Sequence, residues 1–222
     1  MIPVNDYSRP KRFPIVTYTI IFANIFCWIF VQDFGFNPIL SASIVRFGIK
    51  PMEIVTSFST EWFTIFTSEF LHANLFHLVS NLWILAIVGD DVEDAFGPFR
   101  YVLFYLGSSL CSSLLFIFTA PTGSIPVIGA SGAVSGVLGV YAVLFTNHNV
   151  YFAPQLIVSS RLILGYWFLI QLISTMPLFK DPDSNIAFWS HIGGFAFGAA
   201  VAMVKSLIQN RTADEYQEDF SL

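Results

Sequence analysis

Six apolar runs divide the chain, at residues 14–31, 71–88, 101–119, 131–146, 155–178 and 186–208. Polar or turn-forming stretches separate them. Five of the runs match or approach the roughly 20 residues that an α-helix needs to cross a bilayer. The pattern predicts an all-α, polytopic membrane protein, a bundle of six transmembrane helices. The fourth run is short, which a membrane tolerates when one helix end meets a water-filled cavity rather than lipid. The first run follows a basic segment, with Arg9, Lys11 and Arg12, and ends in Val31-Gln32-Asp33. It is long for a signal-peptide core and has no small-residue cleavage site, so it reads as the first spanning helix.

The connections differ in kind. Residues 34–71 mix Arg46, Lys50, Glu53, Glu61 and Glu69 with Phe34, Phe36, Phe47, Phe58, Trp62, Phe63, Phe66 and Phe70. Aromatic rings interleaved with charges suit the headgroup level, and short interfacial helices are expected there. A polar turn is expected at 89–98. The loop at 120–128 has no charge but carries Pro121, Gly123 and Pro126. A polar loop at 180–185 precedes the sixth run. The division is a cytoplasmic N-terminal segment at 1–13, a membrane-embedded domain at 14–208 and an acidic tail at 209–222, expected to be disordered.

Composition strengthens this picture. The chain is 55% hydrophobic and only 11% charged, with mean hydropathy +0.68. Water-soluble domains carry about a quarter charged residues, so a soluble fold is excluded and the lipid bilayer is an implied partner. The net charge of −5, with no basic patch, gives nothing for nucleic acid to bind. Cys27 and Cys111 lie in apolar runs and read as small buried hydrophobes. With six spans both termini share one side. That side, with the even connections, holds Arg9, Lys11, Arg12, Arg100, Arg161, Lys205 and Arg211, against Arg46, Lys50 and Lys180 on the other. The positive-inside rule places both termini in the cytoplasm, in a cell membrane.

This topology puts several polar residues in the outer halves of their helices: His72, His77 and Asn81 in the second, Ser131 in the fourth and His191 in the sixth. His77 and Asn81, four apart, share a helix face. Donors facing one way in a dry site suit an oxyanion. His72, five before His77, points elsewhere, and polar glue between helices is its plain alternative. Ser131 stands at a helix start, where its backbone N–H has no intrahelical partner. Its neighbours Gly132, Ser135, Gly136 and Gly139 equally fit a close-packing seam, and Ser135 reads as packing alone. Gly194 and Gly198 form a second stripe near His191, able to press the sixth helix against the fourth and bring an imidazole base to the serine.

Three other readings use the same residues. His72, His77 and His191 could in principle bind zinc, but His72 and His77 lack the i, i+4 spacing of helical ligands, so no metal or cofactor is expected. A transporter is compatible with intramembrane histidines, but no inverted repeat is visible. A non-catalytic binder of membrane helices is the third. His148, near the cytoplasmic end of the fourth helix, reads as a surface histidine.

Taken together, the chain resembles the rhomboid family of intramembrane serine proteases. The second run carries H-x4-H-x3-N as His72, His77 and Asn81. G-x-S-G appears as Gly129-Ala130-Ser131-Gly132, and H-x-x-G as His191 and Gly194. Gly89, Glu93 and Gly97 match G-x3-E-x3-G. The resemblance implies a catalytic dyad of Ser131 and His191, and an oxyanion hole from His77, Asn81 and the Ser131 N–H. It gives supporting roles to His72, Gly129, Gly132 and Gly194. It implies single-pass transmembrane protein substrates that enter from the lipid and are cut near the outer end of their spans. The family's Trp-Arg in the first connection reads Trp62-Phe63 here, which leaves the anchoring of that loop open.

Overall fold

A computed structural model describes residues 3–5, 12–152, 156–176, 178 and 187–219. Helix α1 (Ile15–Phe30) is followed by four short helices, α2 (Ile39–Phe47), α3 (Pro51–Thr56), α4 (Phe58–Glu61) and α5 (Thr64–Thr67), so the first connection folds into short helices. Then come α6 (Leu75–Phe96), α7 (Pro98–Thr119), α8 (Ser131–Leu144), α9 (Ser160–Ser174) and α10 (Phe188–Asp219). A small antiparallel sheet joins β1 (Pro3–Asn5), β2 (Asn149–Phe152) and β3 (Leu156–Ser159) in that order. Helices α6 and α7, and α10 through Asn210, are long and apolar enough to cross a bilayer, whereas α1, α8 and α9 are shorter apolar helices.

The polarity of the fold is inverted relative to a soluble domain. Phe22, Phe30, Phe76, Phe118, Leu162 and Leu207 face outward, while Thr17, Asn24, Ser108, Ser109 and Ser112 are buried. Water would penalise such an apolar exterior. Lipid does not, and small polar side chains between helices then add packing and hydrogen bonds. The chain is thus an α-helical, multi-pass integral membrane protein.

Helix α8 is the central element, with Ala133, Val137, Val140 and Tyr141 fully buried and α10, α7 and α6 packed around it. Its 14 residues rise about 21 Å, short of a hydrocarbon core of about 30 Å. Close approach to α10 follows from glycine. A Cβ at Gly194 would strike the Gly132 carbonyl, one at Gly198 the Gly136 carbonyl, and one at Gly139 the Phe195 carbonyl. The two backbones are therefore in direct contact along two turns.

Several boundaries differ from those the hydropathy pattern predicts. Helix α6 begins after Asn74, whose side chain accepts a 2.8 Å hydrogen bond from the His77 N–H, so His72 lies in the approach to the helix and not on it. The stretch expected as a polar turn at 89–98 is helical through Phe96. Its acids are drawn inward, and Glu93 accepts hydrogen bonds from the N–H groups of Val16 and Thr17 and the Thr17 hydroxyl at 2.8–2.9 Å. The actual turn is Gly97, at φ +75°, followed by Pro98 in the first turn of α7.

The fifth run starts as strand β3, because pairing with β2 satisfies its backbone, and becomes helical only at Ser160. The tail expected to be disordered continues α10 to Asp219, since no Gly or Pro follows Gly198 to break it. The loop at 180–185, residue 186 of the sixth run, and Arg9 and Lys11 lie outside the described residues.

Candidate functional site

The site is built around the first turn of α8. The loop before it is pinned to the first connection. Ile49 and Val127 exchange backbone hydrogen bonds of 3.0 and 2.8 Å, and the Gly129 N–H donates to the Ser68 carbonyl at 2.9 Å. Gly129 sits at φ +117°, and a Cβ there would meet the His77 ring. Only glycine allows both the turn and the contact. The turn delivers Ser131 as the first residue of α8, with the N–H groups of that helix turn free of intrahelical partners. The Ser135 hydroxyl donates back to the Ser131 carbonyl.

The glycine seam then sets the height of α10 against α8. His191, in the first turn of α10, brings Nε2 to 2.8 Å from Ser131 Oγ. Its other ring nitrogen, Nδ1, lies 2.8 Å from Oε1 of Gln171 on α9. The Trp167 ring, one turn earlier on α9, is 6.1 Å from the imidazole and tilted by 33°. Ser190 pairs with Ser112 of α7, beside Gly132.

His72, His77 and Asn81 occupy the facing side. His72 is fully buried, and its backbone is held by Gln32 at the end of α1. The Gln32 amide donates to the His72 carbonyl at 2.8 Å and accepts from the His72 N–H at 2.9 Å, as a neighbouring strand would. The His72 ring meets that of His77 edge to face, with centroids 5.0 Å apart. Its Nε2 is 3.1 Å from Asn81 Nδ2. An amide nitrogen only donates, so His72 accepts and thereby orients Asn81.

A cavity of about 620 Å³ joins the two sides and is lined by His77, Asn81, Gly129, Ser131 and His191. His72 stands behind it. One open space therefore reaches a hydroxyl, an imidazole and several hydrogen-bond donors. Such a set can perform acyl transfer.

Three residues of this neighbourhood carry no signal in the sequence. Gln32 and Gln171 are single amides far from every motif. Glu69 is one acid among several in the first connection, yet it is buried against the Ser109 hydroxyl and the Ala133 N–H, at the start of α8. No local spacing marks them, because each meets its partner only on a segment distant in sequence. Where the family has arginine, Phe63 receives a cation from elsewhere: the Arg46 guanidinium of α2 lies over its ring at 5.0 Å. His148 is only partly exposed. It is tucked at the far end of α8, 3.2 Å from the Tyr141 hydroxyl and 3.5 Å from Asp91. Among the described residues, no three His, Cys, Asp or Glu side chains converge as a metal site.

The family model described as "Rhomboid domain" matches residues 59–207. Over 197 residues the chain is 28% identical to Rhomboid protease GluP of Bacillus subtilis (strain 168), a match covering 87% of this chain and 36% of that protein. It is 24% identical over 216 residues to Rhomboid protease AarA of Providencia stuartii, covering 88% and 74%. It is also 30% identical over 168 residues to Inactive RHOMBOID-like protein 8 of Arabidopsis thaliana, covering 74% and 44%. The chain thus spans less than half the length of the first and third of these proteins.

Proposed function

The chain belongs to the rhomboid family, and from that premise we propose that it is an intramembrane serine endopeptidase. Its substrates are single-pass transmembrane proteins, cut near the outer end of their spans. Family membership alone does not carry this, since one relative is named inactive. The observation that carries it is the 2.8 Å contact between Ser131 Oγ and His191 Nε2 at the edge of a cavity.

The chemistry follows from the residues. His191 Nε2 takes the Ser131 hydroxyl proton as Oγ attacks the scissile carbonyl carbon. The oxyanion receives hydrogen bonds from the Ser131 N–H, the His77 ring and the Asn81 amide. As the C–N bond breaks, the leaving amine takes the proton from His191. Water, deprotonated by the same imidazole, then cleaves the acyl ester and Ser131 regains its hydrogen. Substrate and water balance the whole sequence.

The six apolar helices α1, α6, α7, α8, α9 and α10 act as six spans, with both termini cytoplasmic. Helices α6, α8 and α10 then begin on the outer side, and their first two turns carry the site. The short α8 leaves room there for a water-filled cavity.

Ser131→Ala tests the proposal. Cleavage of a transmembrane peptide in proteoliposomes should fall to background, with unfolding stability within about 1 kcal/mol of wild type. A fluorophosphonate should label the wild type and not the variant. Undiminished cleavage by Ser131→Ala overturns the protease reading. Substrate binding by the wild type without cleavage supports the non-catalytic one instead.

A further inference from the structure

A dyad leaves the second nitrogen of its imidazole unaccounted for. Here Nδ1 of His191 is not idle. It lies 2.8 Å from the Gln171 side-chain oxygen, while Nε2 lies 2.8 Å from Ser131 Oγ. Gln171 is itself buried, at 7% exposure. It and Trp167 are four apart on α9, so the same helix face supplies an acceptor at the ring edge and an aromatic wall beside the ring.

Carbonyl oxygens only accept hydrogen bonds, so the Nδ1 that meets Gln171 Oε1 must carry the proton. In a neutral imidazole this leaves the lone pair on Nε2, facing the serine hydroxyl, which is the tautomer a general base requires. When Nε2 gains the serine proton, the ring becomes cationic, and a hydrogen bond to a charged donor is stronger than the neutral one it replaces. The contact thus favours the charged form created during reaction over the resting form. It also fixes the ring plane, which a lone Ser131 contact would leave free to turn. Among the described residues, the ionisable groups that share the cavity with His191 are His77 on α6 and Glu69 at the end of the first connection.

We propose that Gln171 is a positioning residue for His191, making the site a Ser131–His191–Gln171 relay in which a neutral amide holds the place of an orienting acid. This rests on the protease reading above. Gln171 touches neither substrate nor the reacting bond and acts only through the imidazole.

The test compares wild type, Gln171→Leu, Gln171→Glu and Ser131→Ala in proteoliposomes, measuring kcat and KM for one transmembrane peptide between about pH 4 and pH 9. Gln171→Leu should lose about tenfold in kcat, the rate equivalent of one hydrogen bond to a group that becomes charged, with KM within about twofold. Gln171→Glu should keep kcat within about threefold. A carboxylate beside the ring favours imidazolium, so the acid limb of its kcat profile should move up by about one pH unit.

Nitrogen-15 shifts of His191 give a readout independent of turnover. The wild type should show the Nδ1–H tautomer and Gln171→Leu a mixture. Wild-type kcat and tautomer in Gln171→Leu overturn the proposal. So does a Gln171→Glu enzyme as impaired as Gln171→Leu with its acid limb unmoved, which would mark a packing role. Cleavage by Ser131→Ala overturns the protease reading itself, and the role of Gln171 with it.

Discussion

Gly129 shows how tightly the site is set at the scale of one residue. Its φ of +117° already disfavours any side chain, and the space a Cβ would take holds the His77 ring. Gly129→Ala must therefore displace either the turn that presents Ser131 or the imidazole facing it. An active-site displacement of about 1 Å costs on the order of 100-fold in rate, and a strained φ costs about 1–3 kcal/mol. The variant should lose at least about 100-fold in peptide cleavage and about 1–3 kcal/mol in unfolding stability. Wild-type activity would show that the contact with His77 is not limiting. Gln32 works in the same register. One side chain satisfies both backbone groups of His72, and so fixes the ring that orients Asn81.

At the scale of elements, the G-x3-E-x3-G stretch is a joint between α1, α6 and α7. Gly89 lets Thr17 and Tyr101 approach α6, Glu93 caps the start of α1, and Gly97 ends α6 in a left-handed conformation. The carboxylate satisfies two backbone N–H groups that α1 cannot pair itself, at the end where the helix dipole favours negative charge. Glu93→Ala should cost at least about 2 kcal/mol, because buried donors lose their acceptor. Glu93→Gln should retain part of that stability. Unfolding in mixed micelles checks both. A cost below about 0.5 kcal/mol for the alanine variant would mean that water replaces the cap.

For the whole molecule, the consequence of an apolar exterior and an uneven distribution of Lys and Arg is orientation. Both termini should lie in the cytoplasm, opposite the loop between α7 and α8. Single cysteines introduced as Ser8→Cys, Ser221→Cys and Ser124→Cys, in a chain lacking Cys27 and Cys111, test this with a membrane-impermeant maleimide. On intact cells only Ser124→Cys should react. Reaction of either terminal cysteine would reverse or break the six-span topology. The same experiment asks whether α1, α8 and α9, each shorter than a full crossing, act as spans.

Much of this protein is written locally. Apolar runs mark the helices because a bilayer demands about 20 residues of unbroken hydropathy wherever a chain crosses it. Ser131, His191, His77 and Asn81 stand out because polar groups in such runs need a reason, and the paired glycine stripes signal which helices touch. Other features depend on partners distant in sequence. Asp90, Asp91 and Glu93 read as a solvated turn until α1 supplies the donors that bring Glu93 inside a helix. Residues 156–159 read as the start of a helix until β2 offers a neighbouring strand. Gln32, Glu69 and Gln171 are legible only after folding. Each is a lone polar side chain whose hydrogen-bonding partner lies on another element, 20 or 40 residues away for the two glutamines. Hydropathy and spacing register neighbours along the chain, whereas these contacts exist only once α1 has packed on α6, and α9 and α10 on α8.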